Sequence, residues 1–118
     1  MSNKLETLKR VIAKLESIEV RWHREPGDAE RDQRHFEAET DEGRITGYLA
    51  IRHWFSDPKS CTLRVWLHPP KEDSVELFFE EFDETKDREN WQFLENYFQQ
   101  ILANENEKAQ RHKDRFFR

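Results

Sequence analysis

Arg44-Ile45-Thr46-Gly47-Tyr48-Leu49-Ala50-Ile51-Arg52-His53-Trp54-Phe55 opens the stretch on which the fold turns. A loop, Ser56-Asp57-Pro58-Lys59-Ser60, leads to Cys61-Thr62-Leu63-Arg64-Val65-Trp66-Leu67-His68. Pro69-Pro70 then removes two backbone donors, which stops a strand. The third run is Ser74-Val75-Glu76-Leu77-Phe78-Phe79-Glu80-Glu81-Phe82. Three runs rich in β-branched and aromatic residues, each bounded by turn formers, predict three consecutive strands. Successive side chains of a strand point to opposite faces. Counting in twos, Ile45, Gly47, Leu49, Ile51, Cys61, Leu63, Val65, Leu67, Val75, Leu77 and Phe79 face inward. Tyr48, Arg52, Trp54, Arg64, Trp66 and Phe78 face outward, with Glu76, Glu80 and Phe82.

Working back from this stretch, Asp41-Glu42-Gly43 is a hairpin turn, with glycine available for positive φ. Phe36, Ala38 and Thr40 alternate with His35, Glu37 and Glu39 as a weaker strand. Residues 25–34 hold no large apolar side chain and read as an exposed loop. Ile18, Val20 and Trp22 alternate with Glu19, Arg21 and His23 as a further strand. Before it, Leu5, Leu8, Ile12 and Leu15 recur at helical spacing over residues 3–16. Working forward, everything from about Lys86 reads helical. Trp91, Leu94, Phe98, Ile101 and Leu102 form a stripe that Phe93 and Tyr97 widen to about half the helix circumference. So broad a stripe calls for more than one partner surface. After Ala103 the pattern is polar all round until Phe116 and Phe117.

Short links between consecutive strands favour an antiparallel meander. The expected fold is α+β, a single domain over 1–118. A five-stranded, largely antiparallel sheet (18–24, 34–40, 44–55, 61–68, 74–82) sits between an N-terminal helix and a long C-terminal helix. Residues 103–118 are a frayed or extending tail. The long helix is expected on the Ile45, Leu49, Leu63, Val65, Leu77 and Phe79 face.

Composition narrows the function classes. The 118 residues are 38% charged and 35% hydrophobic, so the few apolar groups must be well placed. Aromatic residues make up 13%, and each ring buries about 150–250 Å². That is enough to hold a core. The net charge of −5 disfavours a surface coated with nucleic acid. One cysteine, Cys61, excludes an internal disulfide. It reads as a small buried hydrophobe rather than a nucleophile. No signal-peptide pattern is seen at Met1–Glu6, and no apolar run approaches the ~18 residues of a membrane span. A cytoplasmic protein, away from membranes, is the expectation.

Two surfaces stand out. Tyr48, Arg52, Trp54, Arg64, Trp66 and Phe78 make an outward aromatic–arginine face, which predicts a protein-binding surface. Two bland alternatives are ordinary core covered by a helix and arginine stacked on tryptophan with no ligand. Stacking of nucleobases is a third alternative, opposed by Glu76 and Glu80. The second surface lies between Lys71 and Glu95, where ten acids face three bases. There Glu80, Glu81, Asp83, Glu84 and Asp87 suggest a docking site for a basic protein. The bland alternative is a solvated helix start, which favours acids.

Other features carry less. The tail is basic through Lys108, Arg111, Lys113, Arg115 and Arg118, which suits a helix C-terminus or, more sharply, RNA. His23, His35 and His68 share the outward face and His53 the inward one. Their spacing matches no zinc motif. No glycine-rich phosphate loop or nucleophile motif occurs. The sequence thus predicts a small non-enzymatic protein-binding module, a regulator, chaperone or neutralising partner, with no cofactor or metal. A homodimer is expected. The alternatives are an enzyme or ligand cup with His53 or His68 in a pocket between sheet and long helix, and RNA binding through the tail.

Overall fold

The structure, a computed structural model, describes residues 4–52 and 59–118. Helix α1 spans Lys4–Ser17, strands β1 to β5 span Arg21–His23, Gln33–Thr40, Gly43–Arg52, Ser60–His68 and Val75–Asp83, and helix α2 spans Arg88–Phe116. The strands form one sheet in the order β1-β2-β3-β4-β5, every neighbouring pair antiparallel. The α+β meander with a helix at each end of the chain is therefore as the alternation predicts. His53, Trp54 and Phe55 lie outside the described residues.

Helix α1 ends one residue later than expected, and β1 is shorter. Glu19 takes φ 54°, its N–H bonds Glu16 O at 3.0 Å, and Val20 N–H bonds Leu15 O at 3.2 Å. This pair of bonds is the Schellman stop, which satisfies the last carbonyls of a helix. Two residues expected in a strand, Ile18 and Glu19, go into that cap. Between β2 and β3, Gly43 has φ 139°, and a Cβ there would lie 2.4 Å from His68 O. Gly47 is needed for space: a Cβ would meet Arg64 O at 2.1 Å and Phe36 Cζ at 2.4 Å. The Phe36 ring therefore lies across β3, filling the place of a side chain.

One face of the sheet carries both helices. Leu8, Ile12 and Leu15 of α1 join Trp91, Leu94, Phe98 and Ile101 of α2 in a single cluster. The sheet contributes Phe36, Ile45, Leu49, Ile51, Cys61, Leu63, Val65 and Phe82. This corrects the expectation that the sheet lies between the helices. The broad stripe of α2 is divided between the sheet and α1. The sheet–α2 interface is filled by Leu49, Leu63, Leu94 and Phe98, all 2% exposed or less.

Arg34, expected where the loop meets the strand, is the second residue of β2 and sits on this inner face, 5% exposed. Its Nε donates to Glu105 Oε2 at 2.8 Å, its Nη2 to Glu105 Oε1 at 3.3 Å and its Nη1 to Gln33 O at 2.7 Å. Arg24 also donates to Glu105. Two guanidiniums thus hold one carboxylate of α2. The Arg34 bonds, then Arg24, keep the Glu105 carboxyl below its ordinary range despite partial burial. Beyond Glu105 every residue of α2 is exposed, so the tail is an extending helix. No helix among the described residues is long and apolar enough to cross a membrane.

Candidate functional site

The outer face is read off the register. One row across the sheet is His23, His35, Tyr48, Arg64 and Phe79, and the next is Arg21, Glu37, Thr46, Trp66 and Glu76. Arg52 lies at the far end of the same face, opposite Ser60 and exposed. Tyr48, Arg52, Arg64 and Trp66 are therefore brought to one face, as parity requires. Neither helix packs there.

Phe78 does not join them, which corrects its expected place. The β4–β5 ladder shifts register between Val65 and Trp66: Val65 pairs Phe78, but Trp66 pairs Glu76. Leu77 is the extra residue of a bulge, and a bulge reverses the parity beyond it. Phe78 packs against the core and Phe82 is fully buried, whereas Phe79 turns outward, 47% exposed. Val75 and Leu77, expected inside, are about half exposed as well.

Around Arg64 the face is ordered. Its guanidinium lies 4.7 Å from the Trp66 ring centroid and 4.7 Å from that of Phe79. Its Nε and Nη2 donate to Glu76 Oε2 at 3.0 and 2.7 Å. An arginine over an aromatic face gains about 0.5–1 kcal/mol at an exposed site. Glu76 sets the angle at which both rings are met.

Histidines line the neighbouring groove of about 510 Å³. His35 has Nδ1 2.9 Å from Asp28 Oδ2 and Nε2 2.9 Å from Glu25 Oε2. Each ring nitrogen thus faces one carboxylate. Asp28, in the loop read as exposed, is 2% exposed. Burial would raise its carboxyl, but the Glu25 N–H and His35 together hold it below its ordinary value. His23 stacks on His35 with centroids 6.1 Å apart. His68 lies on this outer face too, with Thr46 Oγ1 and Ser74 Oγ each 2.7 Å from a ring nitrogen. It is thus away from the sheet–α2 interface where an acid–base pocket was expected. No cluster of three or more potential metal ligands forms among the described residues.

The five acids of the second surface do not share a face. Glu80 pairs with Leu63 on the inner side, and Glu81 pairs with Thr62 on the outer. Asp83 Oδ1 accepts bonds from Thr85 Oγ1, Thr85 N and Lys86 N, at 2.6, 2.7 and 3.1 Å, and these hold its carboxyl low. Asp83 therefore builds the turn into α2. Glu84 Oε2 accepts from Lys59 N at 3.3 Å. Asp87 is the N-cap residue of α2, with no side-chain cap bond. Cys61 is fully buried, and burial pushes its thiol up to about 12, which suits a packing role.

Periodicity missed Arg34, Asp28 and Phe79. A buried ion pair leaves no hydropathic trace. The doublets Phe78-Phe79 and Glu80-Glu81 were a readable sign that strict alternation fails in β5. Compared with family models, with curated proteins and with solved structures, the chain finds no match.

Proposed function

We propose that the protein is a small protein-binding module, non-enzymatic and cytoplasmic, whose outer sheet face is the docking surface. One observation carries the reading. Both helices lie against one side of the sheet, and the side they leave bears Tyr48, Trp66 and Phe79 around a guanidinium fixed by Glu76. An antiparallel sheet commonly has a solvated face, but such a face ordinarily reads polar. Aromatic residues and arginine are the types enriched where proteins meet. Holding Arg64 in place beforehand lowers the ordering cost of association, about 0.5–1.5 kcal/mol per mobile side chain. Glu76 offsets the charge of Arg64, so the surface favours a protein over a phosphate backbone.

The test compares the wild type with Trp66→Ala. Sedimentation velocity over a range of concentrations reads self-association, since a second copy is one candidate partner. Affinity capture with quantitative mass spectrometry reads other proteins. The expected outcome is a complex weakened at least about tenfold, as for a central aromatic anchor, with the melting temperature within a few degrees of wild type. A melting temperature that collapses makes Trp66 a core residue and removes the anchor. A complex of undiminished strength places the docking surface elsewhere.

A further inference from the structure

The long edge of the sheet is the feature the face alone does not use. Strand β5 is nine residues long and pairs only with β4 among the described residues. An edge strand offers a row of unpaired N–H and C=O groups to any chain that can lie beside it. Val75, Leu77 and Phe79 stand about half exposed along it. From this edge a groove of about 600 Å³ runs under the helix side of the sheet, lined by Val11, Leu67, Leu77 and Phe78 near β5 and by Glu39 and Glu42 at its far end. A strand added to β5 would put alternate side chains into that groove and the others beside Phe79.

Charge selects the occupant. Strand β5 contains Glu76, Glu80, Glu81 and Asp83 and no Lys or Arg. Glu76 is engaged by Arg64 of β4. A second β5 laid against the first would bring its own acids and no base, and like charges across a pair destabilise it. Acids and a bulge are means by which edges resist pairing with their own kind. They leave the edge open to a strand of opposite charge. We infer that β5 takes up an extended segment of a partner protein in which apolar residues alternate with lysine or arginine, the segment adding to the sheet as a sixth strand. Main-chain bonds would supply affinity, and the groove and the acids Glu80 and Glu81 the selectivity. The inference deepens the protein-binding reading by naming where the partner's backbone lies and what it carries.

The test uses the full chain and a capped peptide of alternating Lys and Val. A second peptide of equal charge carries a central Pro, which cannot complete a ladder. Amide hydrogen exchange and ¹H–¹⁵N spectra are recorded with each. Expected are protection confined to β5 amides, and binding at least tenfold tighter for the Lys–Val peptide than for its Pro counterpart. Phe79→Lys, at an exposed position, should weaken binding tenfold with a melting temperature within a few degrees of wild type, and Glu81→Lys should act in the same direction. Equal affinity for both peptides, or no binding, overturns the inference. Shifts centred on Trp66 and Arg64 without β5 protection overturn edge pairing but leave the face reading standing. Protection of β5 that survives Trp66→Ala supports the edge independently of the face.

Discussion

Glu19 shows how a single residue can carry a cost that no contact reveals. It is a non-glycine residue with φ 54°, placed at the one position of the helix stop that glycine most often fills. An L-residue there gives up about 1–2 kcal/mol against glycine, partly offset by the entropy glycine loses on folding. Glu19→Gly is therefore expected to stabilise the protein by about 0.5–1 kcal/mol. Thermal or urea unfolding would read it, and an unchanged or lowered midpoint would show that the side chain itself is used. At this scale the sequence was legible where apolar residues keep a period and opaque where polar groups are buried. Asp28 and Arg34 sit in a stretch whose composition is that of a solvent loop. Their burial depends on His35 and Glu105, the latter seventy-one residues further on than Arg34. No local window contains the Arg34–Glu105 pair.

Among the elements, α2 and β5 are the instructive pair. The stripe of α2 was legible because five apolar residues recur at helical spacing, and the sheet and α1 indeed share it. Its far end is held by charge. Asp28 and Glu105 both have carboxyls below their ordinary values of 3.8 and 4.5, so the native state binds protons less readily than the unfolded chain. Their contribution is present in full above about pH 5, begins to fall away near the ordinary values, and is lost as the pH drops on through the lower native ones. Unfolding free energy should therefore fall on acidification below about pH 5. In Glu105→Gln that fall should be shallower, from a lower starting stability at pH 7. Denaturant titrations at a series of pH values would check both, and an unchanged slope would remove Glu105 from the account. Strand β5 was legible in position but not in orientation. Alternation fixes faces only while a ladder stays regular, and one extra residue, Leu77, exchanges Phe78 for Phe79.

For the whole molecule, the class and strand count could be read from turn residues and short links. Which side each helix takes could not, because a helix stripe states that it needs a partner and not which one. The placement of both on one side follows from the joint burial of Leu8, Ile12 and Leu15 with Leu94 and Phe98. The strand order copies the chain order, so each hairpin can close before the next is complete. Both helices must close over the sheet, and α2 does so by travelling back across it to end at the clasp on Arg34. Loop closure is costlier for that step than for any turn of the meander. The assembly thus has a built-in sequence of events, with the ribbon first and the long helix as the latch that closes last. Phe36→Leu, which loosens the ring packed on Gly47 within the β2–β3 hairpin, should slow refolding, whereas Phe98→Ala should chiefly hasten unfolding, and stopped-flow chevrons would separate the two. Should Phe98→Ala slow refolding as strongly as Phe36→Leu, the helix is part of the nucleus, and the latch is set before the ribbon is finished.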